Sequence, residues 1–260
     1  MLLGIEIGNT NTLFGLFDAD DTLRSIFRLS TSRDRMPDEW FALLSPLMKS
    51  DEISLAEIDG VIISSVVPGV TPWMITMVER WLDVTPVVVT SDINLGLPLD
   101  VDEPDKLGAD RIVDCIAAVD SYGAPAIIVD VGTATTIDVV GGDGAYKGGA
   151  IAAGVATSLE ALAGNAAQLF NVELFAPQSL IGRNTADQLR SGIVAGHLAM
   201  LEGLITRMRQ ELGENAPAIL TGGLAQLFQG QTSFFQHVDP NLTLSGLLLI
   251  YKRVNRPASQ

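Results

Sequence analysis

The amino-acid sequence has little of what several classes of protein require. A single cysteine, Cys115, occurs in 260 residues, so the chain cannot form an internal disulfide. No apolar run reaches the length of about 18 residues that a membrane-spanning helix needs. The N-terminus has no cationic region and meets Glu6 after a few apolar residues, which argues against a signal peptide. These absences predict a globular protein of a reducing, cytoplasmic compartment, without a membrane partner.

Positive charge is also scarce. Lysine and arginine total 16 against 31 aspartate and glutamate residues, which gives a formal net charge of −15 at pH 7. A nucleic-acid-binding protein normally presents a basic face, so the sequence predicts no nucleic-acid partner. The same charge disfavours an anionic ligand unless bound cations and local backbone N–H groups offset it.

Several common catalytic patterns are missing. No G-x-x-x-x-G-K-[ST] occurs, and the stretch "GGLAQLFQG" has no lysine, so a Walker phosphate loop is excluded. No cluster of histidine and cysteine indicates a zinc site. Cys115 lies in "RIVDCIAAV" at helical spacing and is predicted to be a packed core thiol rather than a nucleophile. His197 is predicted to pack or cap within a helix, and His237 to lie in a surface segment.

The two halves of the sequence have the same order of predicted strands and helices. Each half begins with two short apolar runs around a polar turn and continues with alternating strands and helices, which predicts an α/β duplication. We therefore expect an N-terminal lobe over residues 1–119 and a C-terminal lobe over residues 120–260. The second lobe should contain a strand, a glycine turn and a helix at "APAILTGGLAQLF", and end in the helix "LTLSGLLLIYKRV". Its long helix from Asn184 should be broken or crowded near Gly192 and Gly196.

The two polar turns carry similar residue types in the same order. The residue pairs at a constant difference of 124 positions are Glu6 with Asp130, Gly8 with Gly132, Asn9 with Thr133, Asn11 with Thr135, Thr12 with Thr136 and Leu13 with Ile137. Glycine lets backbone N–H groups approach a phosphate, and a preceding carboxylate suits a cation that neutralises it. Either turn alone is also typical of an ordinary glycine hairpin, but two matched turns favour phosphate binding. Two such turns that face each other across a cleft would clamp a nucleotide.

This repeated hairpin resembles the ATP-binding hairpins of the actin, hexokinase and Hsp70 fold, in which both lobes bring a D-x-G-x-[ST]-like turn to the phosphates. The resemblance implies a duplicated two-lobe α/β fold of the actin-like, ribonuclease H-like type, with mixed sheets. Thr221, Gly222 and Gly223 in "ILTGGLA" resemble the glycine turn that cradles adenosine in that fold. On its own, the Gly-Gly pair is a weak indication.

Further motifs resemble one family. The stretches "SSVVP" (64–68), "GADRIVDCIAAV" (108–119), "YKGGAIAAG" (146–154), "IGRNTADQLRSGI" (181–193) and "DPNLTLSGLLLIY" (239–251) occur in the order seen in type III pantothenate kinases. The resemblance implies transfer of the γ-phosphate of ATP to the primary hydroxyl of pantothenate, the first step toward coenzyme A. It also implies a homodimer that uses Mg²⁺ and a monovalent cation, K⁺ or NH₄⁺.

The resemblance implies roles for individual residues. Asp110 matches the proton acceptor, and a carboxylate suits that role because the attacking alcohol must lose a proton. Arg111 is the matching partner for the pantothenate carboxylate. From the residues alone, this pair is more typical of an acid at a helix N-terminus followed by a surface arginine. The matching substrate contacts are Val101, Gly108, Ala109 and Thr185, the last across a dimer interface. The matching ATP contacts are Glu6, Ile7, Gly8, Asn9, Thr10, Asn11, Thr12, Leu13, Thr133, Gly222 and Gly223. The matching metal ligands are Asp130 for the monovalent cation and Glu6 for Mg²⁺, directly or through water.

Three residues depart from the family pattern. Glu6 stands where an aspartate is usual, Val101 where a tyrosine is usual, and Ala153 where a proline is usual. Glutamate displaces the carboxylate by about an ångström, and such a misplacement can cost ~10²-fold in rate. Two hypotheses remain: a working pantothenate kinase, or a catalytically reduced paralogue that binds nucleotide or pantothenate as a regulator. Another sugar or polyol kinase, or a phosphatase, is disfavoured by "GADR" and "GRNT".

Overall fold

A computed structural model describes residues 1–90, 96–166 and 168–256 of the chain. The chain divides into two compact units. Unit 1 comprises Met1–Leu97, Glu103–Ala117 and Thr243–Gln260, and unit 2 comprises Pro98–Asp102 and Ala118–Leu242. Each unit contains one five-stranded sheet with helices packed against it.

Strands and helices alternate along much of the described chain. The strands are β1 Leu2–Ile7, β2 Asn11–Phe17, β3 Leu23–Ser30, β4 Gly60–Ser65, β5 Val87–Val88, β6 Ala126–Val131, β7 Ala134–Val140, β8 Tyr146–Ala153, β9 Ala218–Thr221 and β10 Phe235–Val238. The helices are α1 Pro37–Ser50, α2 Thr71–Leu82, α3 Ala109–Tyr122, α4 Val155–Asn165, α5 Thr185–Arg190, α6 Gly196–Leu212 and α7 Leu242–Val254. Among the described residues, no helix combines the length and hydropathy that crossing a membrane requires.

The sheet of unit 1 has the strand order β3-β2-β1-β4-β5. β1, β2 and β3 are antiparallel neighbours, whereas β4 and β5 continue from β1 in parallel. One face packs on α1 and α2 through side chains such as Trp40 and Met74. The other face packs on α3 and α7 through Val113 and Leu247. Because β1 is covered on both faces, it forms a nearly continuous apolar run in which Glu6 is the exception.

The sheet of unit 2 repeats this arrangement in the order β10-β9-β6-β7-β8. β6, β7 and β8 are antiparallel neighbours and β9 and β10 continue in parallel, so β6 to β10 match β1 to β5 one by one. The alternation of buried and half-buried residues in β1 recurs in β6. The predicted duplicated α/β fold with mixed sheets is therefore confirmed.

The two matched hairpins differ by one residue in their turns. In the first, Ile7 pairs with Thr12 across a turn of four residues, whereas in the second Val131 pairs with Thr135 across a turn of three. The difference of 124 positions therefore holds for β1 and β6 but becomes 123 for β2 and β7. The predicted pairings of Asn11 with Thr135, Thr12 with Thr136 and Leu13 with Ile137 are therefore wrong. The second turn is one residue shorter than the first, and the consecutive threonines after it fit either alignment.

The helix α7 belongs to unit 1, although it follows every strand of unit 2 in the chain. Leu244 packs over Gly15 of β2, where a Cβ would lie 2.9 Å from the leucine side chain. Gly246 lets α7 approach α3, since a Cβ there would lie 2.5 Å from the Val113 carbonyl oxygen. The predicted lobes follow chain order and differ from the two units at α7 and at Pro98–Asp102. The lobe boundary itself stays a prediction.

One local prediction in unit 2 is wrong: the residues after the glycine turn form the 3₁₀ turn Ala225–Leu227 rather than a helix, and Gly230, with φ of +73°, follows three residues later. His237 lies half-exposed in the edge strand β10 and stacks on Tyr122 with 4.2 Å between ring centroids. The predicted irregularity before α6 is confirmed, because Ser191–Ala195 is a π-helical turn.

Candidate active site

The first glycine turn, residues 8–11, joins β1 to β2 in unit 1. Gly8 donates its N–H to the carbonyl oxygen of Asn11 at 3.0 Å, which closes the turn. Asn9 and Thr10 are exposed at its tip, and Thr12 is fully buried behind it. Exposed backbone at the end of a well-packed hairpin is the local structure that an anion-binding turn requires.

Glu6 lies two residues before this turn. It alternates along β1 with Ile5 and Ile7, whose side chains are in the core, so its half-buried side chain belongs to the other face of the sheet. The register of β1 and β4 sets Glu6 beside Ser64. Ser64 Oγ is buried and has no hydrogen-bond partner in the described structure. A carboxylate next to a buried hydroxyl of this kind is a fitting donor set for a hydrated divalent cation.

Asp110 lies in the first turn of α3, also in unit 1. Its Oδ1 accepts the N–H of Arg111 at 2.8 Å and lies 2.6 Å from where a Cβ on Gly108 would be, so glycine leaves room for the carboxylate. Burial raises the pKa of the Asp110 carboxyl above its ordinary value of 3.8, against the opposing effects of the Arg111 N–H and positive charge. A desolvated carboxylate with a raised proton affinity is well suited to accept a proton.

Asp130 has the place on β6 that Glu6 has on β1, and it pairs with Thr221 of β9. Gly222, which follows Thr221 in the chain, has φ of +96°. A Cβ on Gly222 would overlap Asp130 Oδ1 and lie 2.7 Å from the Val131 carbonyl oxygen. The Asp130 carboxylate therefore packs directly against Gly222, in space that a side chain at this position would need. Carboxylate and carbonyl oxygens close together are hard donors, which suit an alkali or similar cation.

The second glycine turn, residues 132–134, joins β6 to β7 in unit 2. Gly132 donates its N–H to the Ala134 carbonyl oxygen at 2.9 Å, as Gly8 does in the first turn. Behind the turn, Thr135 is buried and its hydroxyl lies 3.0 Å from His197 Nε2 of α6. His197 is thus a packed residue, as predicted, and it supports the strand that leaves the turn.

The segment Pro98–Asp102, which contains Val101, is held against β8 in unit 2. Leu99 forms a parallel bridge with Tyr146, and Lys147 Nζ lies 2.9 Å from the Asp100 carboxylate. The side chain of Val101 lies beside β8, 3.9 Å from where a Cβ on Gly148 would be. A tyrosine at position 101 would supply an aromatic ring and a hydroxyl here that valine lacks.

Thr185 is the first residue of α5 and is exposed. Asn184 caps this helix, because its Oδ1 accepts the N–H of Asp187 at 2.9 Å. Just before it, Leu180 and Ile181 expose 74% and 83% of their surface. Neighbouring apolar side chains with this exposure mark an interaction surface beside the predicted substrate residue.

A cavity of about 310 Å³ opens beside Gly223 in unit 2. It is lined by Phe175, Ala176, Gly223, Leu224, Gln226, Leu227 and Gln231. The Arg190 guanidinium lies 4.0 Å from the centre of the Phe175 ring. An aromatic ring, aliphatic chains and two amides together are suited to bind a flat, polar-edged ring system.

The predicted residues fall into two sets. Unit 1 contains residues 6–13 and 108–111, whereas unit 2 contains Val101, Asp130, Thr133, Thr185, Gly222 and Gly223. The fold brings Asp110 to Gly108 in unit 1 and Asp130 to Gly222 in unit 2. Sequence reasoning assigns no role to Ser64, although it begins the family-like stretch "SSVVP" at the end of a buried strand. Among the described residues, no three or more histidine, cysteine, aspartate or glutamate side chains cluster as metal ligands.

Solved structures share this fold. A Baf family transcriptional activator from Campylobacter jejuni matches with a TM-score of 0.61 at 18% identity, over 98% of this chain and 100% of that chain. A 2-dehydro-3-deoxygalactonokinase protein from Sinorhizobium meliloti matches with a TM-score of 0.58 at 13% identity, over 100% and 99% of the two chains. At such identities the likeness shows the fold alone. The chain therefore has the two-lobe fold of the actin-like ATPases and sugar kinases, as predicted.

Sequence comparison then defines the family. The family profile described as type III pantothenate kinase matches residues 2–207. The type III pantothenate kinase of Thermomicrobium roseum is 50% identical over 256 residues, 98% of both chains. That of Roseiflexus sp. (strain RS-1) is 45% identical over 252 residues, 97% of this chain and 98% of the relative. The chain belongs to the type III pantothenate kinase family, and the resemblance seen in its motifs is confirmed.

Proposed function

We propose that this chain transfers the γ-phosphoryl group of ATP to the primary hydroxyl of pantothenate and so forms 4′-phosphopantothenate, the first step of coenzyme A synthesis. Family membership and 50% identity to a relative of that name support a phosphotransferase with an alcohol acceptor. The structural observation that carries the proposal is the half-buried Asp110 carboxyl at the start of α3, which is held by the Arg111 N–H in the room that Gly108 leaves. Burial also raises the pKa of this carboxyl, which suits a proton acceptor.

Asp110 is the proton acceptor in this reaction. Burial raises the pKa of its carboxyl and hence its affinity for the proton of the attacking hydroxyl. The N–H of Arg111 fixes Oδ1, and the absence of a side chain at Gly108 leaves the space the carboxylate occupies. A positioned base of this kind typically contributes ~10²–10⁴-fold to the rate. The guanidinium of Arg111 pairs two-pronged with the pantothenate carboxylate, as its planar geometry allows.

The two glycine turns hold the ATP phosphates, through residues 6–13 in unit 1 and Thr133 in unit 2. The exposed tips of both turns support this role, since they offer backbone N–H groups and short polar side chains. Gly222 and Gly223 contact adenosine, and the cavity beside Gly223 offers an aromatic and amide lining for the base. Catalysis of phosphoryl transfer consists mostly of such positioning and charge stabilisation.

Cations complete the site. Mg²⁺ bound to nucleotide phosphates neutralises their charge during transfer. Glu6 would hold Mg²⁺, directly or through water, and the buried Ser64 Oγ beside it is a further oxygen donor. Asp130 would hold the monovalent cation, K⁺ or NH₄⁺, through its carboxylate, whose position depends on the absence of a side chain at Gly222. Cations bound between these acids and the phosphates would offset the repulsion between an anionic substrate and a protein of net charge −15.

Val101, Gly108, Ala109 and Thr185 contact pantothenate, and Thr185 reaches it across the interface of a homodimer. Exposed large apolar residues of unit 2 support a dimer, because burial in an interface removes such side chains from water. They are Ile151, Leu162, Phe170, Phe175, Leu180 and Ile181. The single cysteine suits a cytoplasmic enzyme, and the acidic charge disfavours nucleic acid and anionic membranes as partners.

A regulator without catalysis is the second candidate, because Glu6, Val101 and Ala153 depart from the family pattern. Relatives at 40–50% identity are named type III pantothenate kinases, which favours activity. A coupled ADP-release assay with ATP, pantothenate, Mg²⁺ and K⁺ separates the two candidates. The kinase releases ADP only when pantothenate is present and loses this activity with Asp110→Asn. Wild-type turnover no higher than that of Asp110→Asn, with pantothenate or nucleotide binding retained, would establish the regulator instead.

A further inference from the structure

Thr31, the residue after β3, holds two carbonyl groups of the first glycine turn. Its hydroxyl donates to the Gly8 carbonyl oxygen at 2.7 Å, and its N–H donates to the Thr10 carbonyl oxygen at 2.9 Å. The buried Thr12 hydroxyl lies 2.9 Å from the Thr31 hydroxyl. Because the only hydroxyl proton of Thr31 is directed at Gly8, Thr12 is the donor to Thr31. The turn is therefore anchored by a chain of hydrogen bonds within unit 1.

Thr157, in the first turn of α4, holds a carbonyl of the second glycine turn, at the position that corresponds to Thr10 rather than to Gly8. Its hydroxyl donates to the Thr133 carbonyl oxygen at 2.7 Å. The N–H of Gly154 donates to that same oxygen at 3.2 Å. Gly154 has the position of Thr31 in the duplication, since β2 pairs Asn11 with Ser30 and β7 pairs Ala134 with Ala153. A Cβ on Gly154 would overlap the Thr133 carbonyl oxygen, so the hydroxyl comes from the following helix instead.

These bonds determine where the N–H groups of the turns point. In a trans peptide the C=O of one residue and the N–H of the next point in opposite directions. A Gly8 carbonyl held by Thr31 therefore turns the Asn9 N–H to the opposite side of the turn. A Thr133 carbonyl held by Thr157 turns the Ala134 N–H in the same manner. Thr31 in the first turn, and Thr157 together with the Gly154 N–H in the second, thus fix the face on which each turn presents a donor to an anion.

We propose that Thr31 and Thr157 are positioning residues for ATP, each of which holds one carbonyl of a glycine turn so that the following N–H faces a phosphate oxygen. The proposal rests on the proposed phosphate-binding role of the two turns. Neither hydroxyl touches ATP in this arrangement. Their loss should weaken the binding of phosphates and leave the binding of pantothenate unaffected.

Thr31→Val and Thr157→Val remove each hydroxyl at nearly constant shape, and Thr31→Ser and Thr157→Ser restore it. Thr76→Val and Thr206→Val are the matched controls, because these helix threonines also donate to a backbone carbonyl, at 2.9 and 2.7 Å. The first measurement is calorimetric affinity for a non-hydrolysable ATP analogue with Mg²⁺. The second is amide hydrogen exchange of residues 7–14 and 131–136. Thermal melts establish that each variant is folded.

Each valine variant should bind the analogue about tenfold more weakly, the effect of one neutral hydrogen bond. The KM for ATP should rise while the KM for pantothenate stays within twofold. Exchange should accelerate in the turn whose threonine is replaced, and the serine variants should recover wild-type values. Unchanged affinity in a folded valine variant would overturn the proposal, as would equal losses in the control variants or failure of serine to restore binding. An inactive wild type that still shows this binding pattern would contradict the kinase function but support the positioning role.

Discussion

The carboxylate of Asp130 occupies space that a β-carbon on Gly222 would need. This relationship joins the acid of the second hairpin to the glycine turn after β9, and Gly222 also has φ of +96°. The proposed monovalent-cation site thus depends on a residue that is not a ligand. Gly222 thus has a second proposed role besides nucleotide contact, because the absence of its side chain leaves room for the Asp130 carboxylate.

Gly222→Ala should abolish activation by K⁺ or NH₄⁺ and destabilise the protein. Strain from the left-handed backbone alone costs about 1–2 kcal/mol, and the overlap with Asp130 adds to it. Gly230→Ala is the matched control, since Gly230 has φ of +73° but nothing within 4 Å of an added Cβ. Rates measured against K⁺ concentration, together with melting curves, test this. Equal effects of the two substitutions would show that steric contact with Asp130 has no importance.

The pH dependence of kcat should report the environment of Asp110. Its carboxyl must be ionised to accept a proton, and burial raises its pKa, so the acid limb should lie above the ordinary carboxylate range. The positive charge of Arg111 opposes this shift. Arg111→Gln should therefore move the acid limb to higher pH, in addition to raising the KM for pantothenate. Arg80→Gln, on the surface of α2, should leave the limb in place, and an acid limb that Arg111→Gln moves downward would contradict the assignment.

Glu6→Asp tests whether the first hairpin is impaired by its longer acid. Because both side chains end in a carboxylate that can hold a hydrated cation, we expect the rate to change by only a few-fold. Steady-state kcat and the Mg²⁺ dependence of the rate measure this, with Glu79→Asp on α2 as the control. A gain of about 10²-fold, the size of a one-ångström correction in a preorganised site, would show that the natural site is compromised.

His197 should make the protein less stable in acid. Its imidazole is buried against Phe228 and Thr135, and burial lowers its pKa below the ordinary value of 6.5. The unfolded chain therefore binds the proton more tightly, so this contribution to stability is present above about pH 6.5 and is lost as the pH falls. Melting temperatures between pH 8 and pH 5 should fall less for His197→Gln than for the wild type. The control is His237→Gln, and a parallel fall for wild type and His197→Gln would exclude this origin.

The sequence predicts the duplicated fold well because hydrophobic patterning is strong in both halves. β1 and β6 are apolar except for one acid each, and that pattern alone locates Glu6 and Asp130. The alignment of the two hairpins is wrong from Asn11 and Thr135 onward, because the second turn is one residue shorter and threonines on both sides of the deletion fit either alignment. Thr31 and Thr157 cannot be predicted from local pattern, since their partners, Gly8 and Thr133, are 23 and 24 residues away.

The terminal helix shows a second limit of sequence reasoning. Its amphipathic pattern predicts α7 correctly, but not the unit to which it belongs. That depends on Gly15 and Gly246, which let α7 approach β2 and α3 closely. A glycine inside a strand or helix is compatible with many packing arrangements, so only the folded structure identifies its neighbour.

The fate of the phosphoryl group can be followed directly by ³¹P NMR, with wild-type protein and Asp110→Asn incubated side by side with ATP, Mg²⁺, K⁺ and pantothenate. The wild type should convert the γ-phosphate of ATP into a phosphomonoester of pantothenate, with ADP formed in equal amount. Asp110→Asn should form the same product ~10²–10⁴-fold more slowly. Release of inorganic phosphate without a phosphomonoester, or equal rates for the two proteins, would contradict a pantothenate kinase in which Asp110 accepts the proton.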